Sequence, residues 1–301
     1  MFLLAHLTDP HLPPLPRPRL TELASKRLLG FVNWRLFRHG AHRGEVLQAI
    51  VDDLKAANPN HIAFTGDLVN IALAAEFAPA RAFLDRLGPP DLISFVPGNH
   101  DIYVRATADH AATAWAEYMA GDAGHAGFPY LRKRGPVALI GLCSGLPTRP
   151  LMASGELGLP QRERLAEVLS ASKDMFRVVL IHHPPLGHRP RHKELIDAKT
   201  FLEVLRGHGA ELVLHGHDHV HMLNWAEGPD GRIPIVGLPS CSAAPGAKHD
   251  DPAAYNLYGI DGEPGRWQCE MISRGIRPGG GIAELARQTL TINGAPRTTP
   301  P

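Results

Sequence analysis

Five short polar groups of residues, each placed directly after an apolar run, carry side chains able to bind metal ions: Asp9-x-His11, Gly66-Asp67, Gly98-Asn99-His100-Asp101, His182-His183 and Gly216-His217-x-His219. Among them Asp9, His11, Asp67, Asn99, His182, His217 and His219 offer nitrogen and oxygen donors without sulfur. Such a set favours manganese, iron, zinc or cobalt over copper(I) or an iron–sulfur cluster. The two oxygens of Asp67 allow it to bridge two ions. Two ions about 3.5–4 Å apart lower the pKa of a bridging water and clamp a phosphate for in-line displacement, which is the chemistry of phosphoester hydrolysis. In Asp9-x-His11 and His217-x-His219 alternate residues of an extended segment point the same way, so each pair can chelate. His182-His183 presents two imidazoles, and the residues alone leave open which one is the ligand. Gly66, Gly98 and Gly216 stand immediately before Asp67, Asn99 and His217, where a missing Cβ lets the backbone turn towards a crevice.

The elements that must position these residues are legible around them. Phe2 to Leu7, His61 to Thr65, Leu92 to Val96, Arg177 to Ile181 and Glu211 to Leu214 are short Val-, Ile- and Leu-rich runs bounded by Gly or Pro, the pattern of buried strands. Ligands of α/β sheets gather beyond the carboxyl ends of strands, so these ends are expected to converge. Gly44 to Ala57, Ala74 to Leu87, Thr107 to Ala120, Gln161 to Ser172 and Glu194 to Gly207 read as helices alternating with these strands and with Val137 to Leu142. That alternation predicts crossover units and a largely parallel inner sheet. From Ile233 onward only strands follow, at Ile233 to Leu238, Tyr255 to Ile260, Trp267 to Ser273 and Ile282 to Ile292, which predicts a second, more antiparallel sheet with its last turn at Pro278 to Gly281.

One long excursion, Leu12 to about His42, interrupts the pattern after the first strand. It opens with Leu12-Pro-Pro-Leu-Pro-Arg-Pro and continues with helical composition, its apolar residues spread around the whole circumference and Lys26, Arg27, Arg35, Arg38 and Arg43 among them. A partner-packed cap and an interfacial helix both fit, with residues 20–37 as the part that would touch a membrane surface and Trp34 and Phe37 expected inside the cap. The expected organisation is one domain over residues 1–292 with a cap-like insertion at 12–43 and a flexible tail at 293–301. His188-Arg189-Pro190-Arg191-His192-Lys193 would either grip an anionic group or form a solvated basic loop.

Composition narrows the function classes. Among 301 residues the charges nearly cancel, leaving a formal +1, so there is no strong nucleic-acid signal. Cys143, Cys241 and Cys269 lie far apart, which argues against a disulfide framework or a thiolate zinc site and fits a reduced, cytoplasmic location. The start lacks the pattern of a secretory signal, and no segment reaches the roughly 18 apolar residues of a membrane span.

Taken in order, Asp-x-His, Gly-Asp, Gly-Asn-His-Asp, His and Gly-His-x-His resemble the calcineurin-like metallophosphoesterases from Phe2 to Val220. The resemblance implies an α/β fold, a four-layer αββα sandwich of two mixed sheets flanked by helices, with a dinuclear metal site at strand C-terminal ends. It implies one metal on Asp9, His11, Asp67 and His219 and a second on Asp67, Asn99, His182 and His217. His182 is preferred to His183 because the family's ligand stands two residues before the proline. His100 would be the catalytic histidine, oriented by Asp101, and manganese or iron the favoured metals. The implied activity is phosphodiester hydrolysis of a small-molecule phosphoester by in-line attack of a metal-bridging hydroxide, of the cyclic-nucleotide or glycerophosphodiester kind. Its alternatives are a phospholipid or lipid-pyrophosphate hydrolase at a membrane surface and a non-catalytic, metal-supported binding scaffold.

Overall fold

The computed structural model describes residues 1–124, 127–187, 190–247, 250–277 and 279–292. The anticipated tail at 293–301, together with His188, Arg189 and Pro278, lies outside the described residues. Two six-stranded mixed sheets face each other. In the first, β1 (Phe2–Leu7), β2 (His61–Phe64) and β3 (Ile93–Phe95) are parallel, and β10 (Ala254–Asp261), β11 (Gln268–Ile276) and β12 (Ile282–Leu290) extend the sheet antiparallel from β1. In the second, β5 (Val137–Gly141), β6 (Phe176–Leu180), β7 (Leu212–His215) and β9 (Arg232–Gly237) run parallel, between antiparallel edges β4 (Tyr130–Arg134) and β8 (Met222–Glu227).

The side-chain period of two builds the layers. Along β6, Phe176, Val178 and Leu180 enter the core between the sheets, where they join Leu4, Phe64, Leu139, Leu214 and Tyr258. Val179, and Ile181 just beyond the strand, point the other way, onto Leu165 and Leu169 of α6 (Leu159–Ala171) and Phe201 and Leu205 of α7 (Ala198–His208). The first sheet is covered by α3 (Gly44–Ala56), which buries Val46, Leu47, Ile50, Val51 and Leu54 at helical spacing, and by α4 (Ala74–Leu87). Helix, sheet, sheet and helix are therefore the four layers that the resemblance implies.

The late strands do not form a sheet of their own, contrary to the expectation from their clustering. Strand β9 joins the second sheet parallel to β7, with Leu214 opposite Val236, while β10 adds to the first sheet, with Ala5 opposite Leu257. Burial on both faces of β1 and β7 leaves hydrogen-bonding edges that later strands complete, and no local pattern records which edge receives which strand. Strands β4 and β8, unanticipated, are the two edges of the second sheet and carry Arg132-Lys133-Arg134 and a polar mixture in place of an apolar run. The helix expected over Thr107 to Ala120 is broken: α5 (Ala108–Ala114) ends where Trp115 turns inward, fully buried between Phe77 and Phe95 at ring separations of 5.2 and 5.5 Å.

The excursion after β1 forms α1 (Leu20–Leu23), α2 (Arg27–Asn33) and a wide helical turn at Trp34–Arg38. Its polarity is inverted. Arg27 is buried and donates to the carbonyls of Ile71 (3.0 Å) and Ala72 and to Thr107 Oγ1 (3.0 Å). Lys26, also buried, donates to Thr148 Oγ1 (2.5 Å) and the Met152 carbonyl (2.8 Å), and its Nζ lies 4.2 Å from the centre of the Tyr103 ring. Leu28, Leu29, Val32, Leu36 and Phe37 are instead 44–72% exposed. The expectation that Phe37 packs inside the excursion fails, because the cations hold the inner positions that apolar side chains would otherwise take.

Candidate metal centre

The five polar groups converge across the gap between the sheets. Asp9 and His11 follow β1, Asp67 follows β2, Asn99 to Asp101 follow β3, and these three strands belong to the first sheet; His182 follows β6 and His217 and His219 follow β7 in the second. Backbone bonds lock the loops together: Asp9 N–H donates to Gly66 O (2.9 Å), His11 N–H to Asp67 O (3.1 Å) and Gly216 N–H to His182 O (3.1 Å). Asp9, His11, Asp67, His217 and His219 all take positive φ, between 39° and 76°. Each such non-glycine residue costs on the order of 1–3 kcal/mol, strain of the kind that collects at functional sites. At Gly98 and Gly216 the φ is ordinary, and the glycine serves close approach: a Cβ would overlap Asp67 Oδ1 at the first and Asp9 Oδ2 at the second.

Hydrogen bonds on the far side of each ring fix which nitrogen faces inward. His11 Nδ1 donates to Val69 O (3.2 Å), His219 Nδ1 to Asp250 Oδ1 (3.1 Å) and His182 Nδ1 to Thr65 O (2.7 Å), which leaves each Nε2 aimed at the centre. On one side His11 Nε2 and His219 Nε2 stand 3.2 Å apart, with Asp9 Oδ1 3.3 Å from His219 Nε2 and 3.9 Å from His11 Nε2. On the other, Asn99 Oδ1 lies 3.2 Å from His182 Nε2 and 2.9 Å from His217 Nδ1, and His182 Nε2 is 3.3 Å from Asp67 Oδ2. Asp67 Oδ2 is also 3.8 Å from His11 Nε2, so one oxygen faces both groups, while Oδ1 accepts the His100 N–H at 2.8 Å.

These distances fit metal ligation. Donors bound to one ion at about 2.0–2.2 Å stand about 3.0–3.5 Å from each other at octahedral or tetrahedral angles. Lone pairs converging at such separations repel one another unless a cation lies among them. Asp9 Oδ1 is buried without a well-formed hydrogen bond, although its other oxygen accepts from Thr8 Oγ1 (2.6 Å) and His217 N–H (3.0 Å). The field of the carboxylates shows in the imidazoles: burial disfavours charge on His182 and His219, yet Asp67 and Asp9 outweigh it and raise them to about 10 and about 9. His11 and His217, lowered by burial and by neighbouring cations, stay neutral. A proton on an inward nitrogen answers that field, and a metal ion would answer it too.

His100 and Asp101 sit differently from expectation. Asp101 does not touch the His100 ring; its carboxylate accepts the backbone N–H groups of Asp67 (2.8 Å), Gly98 (2.9 Å) and Val69 (3.2 Å), stapling two loops. The His100 ring is oriented through Nδ1 by the carbonyl of Asn70. Of the paired histidines, His183 lies outside the cluster, its Nδ1 on Ser144 Oγ (2.8 Å) and Nε2 on Ala153 O (3.1 Å). His215 is buried within the second sheet and His221 is exposed beyond the site.

Three residues that the sequence does not single out complete the surroundings. Arg38 reaches down from the excursion, Nη1 3.3 Å from His100 Nε2 and Nη2 3.5 Å from His11 Nε2. His42 lies tilted against His11 and edge-on to His219, and Asp250 holds His219. No local signal marks their role, since Arg38 is one of several cations in the excursion and His42 and Asp250 are isolated polar residues, each positioned by long-range packing. Above the centre opens a cavity of about 820 Å³, lined by Asp67, Asn99, His100, His217 and His219 below and by Leu29, Trp34, Phe37 and Arg38 of the excursion above. His192 and Lys193 of the basic loop also line it.

Residues 2–221 match the calcineurin-like phosphoesterase family, and the chain belongs to that family. A search of curated proteins finds no match. Among solved structures, a purple acid phosphatase (PPD1) from yellow lupin seeds superposes with a TM-score of 0.60 at 11% identity, covering 99% of this chain and 57% of that one. A putative 5'-nucleotidase from Staphylococcus aureus gives 0.50 at 11%, covering 100% of this chain and 56% of that one. GAP50, the anchor in the inner membrane complex of Plasmodium, gives 0.50 at 13%, with 97% and 89% covered. At these identities the likeness is one of fold, and this chain spans little more than half the length of the phosphatase and the nucleotidase. Among the described residues no helix is long and apolar enough to cross a membrane.

Proposed function

We propose that this chain is a dinuclear-metal phosphodiesterase. Asp9, His11, Asp67 and His219 would hold one ion and Asp67, Asn99, His182 and His217 the other, with Asp67 as the bridge. When bound, the ions supply Lewis-acid polarisation of the phosphoryl oxygens and a lowered pKa for coordinated water. The polypeptide supplies the rest. Arg38 places a permanent cation beside His100, where it would bind a non-bridging phosphate oxygen and offset charge that builds during transfer. His100, held through Nδ1 by Asn70, turns Nε2 towards the cavity and, once protonated, would donate to the departing alkoxide.

The observation that carries the diester reading is the cavity of about 820 Å³, because it extends beyond what a phosphate alone fills, with apolar walls at Leu29, Trp34 and Phe37 on one side and Leu151 and Met152 on the other. A phosphate with a substituent on each of two oxygens fits that shape. The test compares bis(p-nitrophenyl) phosphate with p-nitrophenyl phosphate on metal-loaded protein. A higher kcat/KM for the diester supports the reading; a preference for the monoester overturns it. Metal loading without turnover of either would favour the non-catalytic scaffold.

A second reading rests on a separate observation, the exposed Leu28, Leu29, Val32, Leu36 and Phe37 beside the cavity mouth. Apolar side chains at helical spacing, with Arg35 among them, suit the surface of an anionic bilayer and a lipid-linked phosphodiester or pyrophosphate substrate. Flotation with anionic liposomes should carry the wild type upward and leave Leu36→Glu/Phe37→Glu behind; equal behaviour of the two would remove this reading. A cytoplasmic location belongs to the same proposal and is open to cell fractionation.

A further inference from the structure

His42 stands where the excursion rejoins the sandwich, immediately before α3. It is pinned there by backbone bonds on both sides, Arg43 N–H to Ser242 O (2.9 Å) and Ala244 N–H to Ala41 O (2.7 Å). The side chain is 4% exposed. Its Nδ1 lies 2.9 Å from Ser242 Oγ and 3.2 Å from Ser240 Oγ.

Proton bookkeeping settles the tautomer. Each serine hydroxyl has one proton, and both are committed: Ser242 Oγ donates to Pro10 O at 2.6 Å and Ser240 Oγ to Asp9 O at 2.5 Å. Both hydroxyls can therefore only accept from His42, so Nδ1 carries the hydrogen. Nε2 is left as a bare lone pair, buried and without a hydrogen-bond partner. The His42 ring centre is 4.8 Å from that of His11 and 5.7 Å from that of His219, and one ligand atom from each of the three residues lies within 4.8 Å of the others.

An outer acceptor on one nitrogen, with the other nitrogen left for the centre, is the arrangement already described for His11 and His219. We infer that His42 Nε2 is a further ligand of the ion held by Asp9, His11, Asp67 and His219, an inference that rests on the two-ion reading above. Two imidazoles on one ion are then oriented from outside, His42 by Ser242 and His219 by Asp250. His42 also makes the base of the excursion part of the metal's coordination, which couples the placement of Arg38, four residues earlier, to metal binding.

The experiment is a cobalt(II) titration of metal-depleted full-length protein, followed by calorimetry and visible absorption. Wild type should bind two ions. His42→Ala should weaken one site by roughly 10–100-fold and alter its visible spectrum while the other site keeps its affinity, the intact second site serving as the control for folding. Ser242→Ala, which removes only the acceptor on Nδ1, should weaken the same site by a smaller factor. Two sites of unchanged affinity and spectrum in His42→Ala would overturn the inference and leave the two-ion reading standing. A wild type that binds no cobalt would overturn both.

Discussion

Asp67 divides its work between two oxygens, and the difference explains much of the site. Oδ1 accepts the His100 N–H, which ties the loop after β3 to the loop after β2. Oδ2 is left facing His11 and His182. The consecutive polar groups are readable in sequence because their chemistry is written into neighbouring residues, although His217 and His219 turn to different groups of donors and, like Asp9 and His11, take positive φ in place of the extended backbone expected of a chelating pair. Arg38, His42 and Asp250 are not readable that way, because each is brought to the site by tertiary packing, Arg38 from the end of the helical turn Trp34–Arg38. The pairing of His100 with Asp101, implied by the resemblance, is not what the structure shows. Neighbours in a loop point in different directions, and the Asp101 carboxylate turned to the backbone. At this scale the prediction concerns His100 and Arg38 together. His100→Ala should lower kcat on bis(p-nitrophenyl) phosphate by about 10²-fold or more with metal content unchanged. Arg38→Ala should cost about 10–100-fold in kcat/KM, of which Arg38→Lys recovers only part because a point charge replaces a planar fork. Unchanged turnover in either alanine variant, with metals retained, would remove that residue from the mechanism.

Among the elements, strands and helices were largely legible and their partners were not. Periodicity marks β1 and β10 as strands, but nothing in either sequence says that they pair antiparallel across most of the chain. The excursion was legible as helical yet its faces were not, since Lys26 and Arg27 turn inward to satisfy carbonyls while leucines turn outward. One tie between elements is open to a pH test. Arg274 of β11 donates to Asp53 of α3 through Nε and Nη2, both at 2.7 Å, and Tyr255 of β10 adds a bond of 2.6 Å. The Arg274 bonds hold the Asp53 carboxyl below its usual 3.8, against the opposing effect of partial burial. A carboxyl whose folded pKa is depressed contributes stability above its unfolded pKa and loses it as pH falls through the folded one. Asp53→Asn should therefore destabilise the metal-free protein by about 1 kcal/mol at neutral pH. The gap to wild type should close as pH drops below about 3.8. A gap in Tm independent of pH would show that the pair's charge does not contribute.

For the molecule as a whole, the arrangement of two sheets is what makes the centre. Strand ends β1, β2 and β3 present one part of the donor set and β6 and β7 the other, so on the proposed assignment neither sheet alone would assemble either ion's ligands. The strained backbone at Asp9, His11, Asp67, His217 and His219 is held by a core that fills the space between the sheets from Leu4 to Val236. The cavity opens above that floor, beneath an excursion that brings Arg38 down and leaves Leu28, Val32 and Leu36 exposed. The measurement that bears most directly on this account is a metal titration of depleted protein, monitored by hydrolysis of bis(p-nitrophenyl) phosphate. Activity should rise to a plateau at two ions per chain and be lost in Asn99→Ala. A plateau at one ion, or no hydrolysis at any loading, would contradict it.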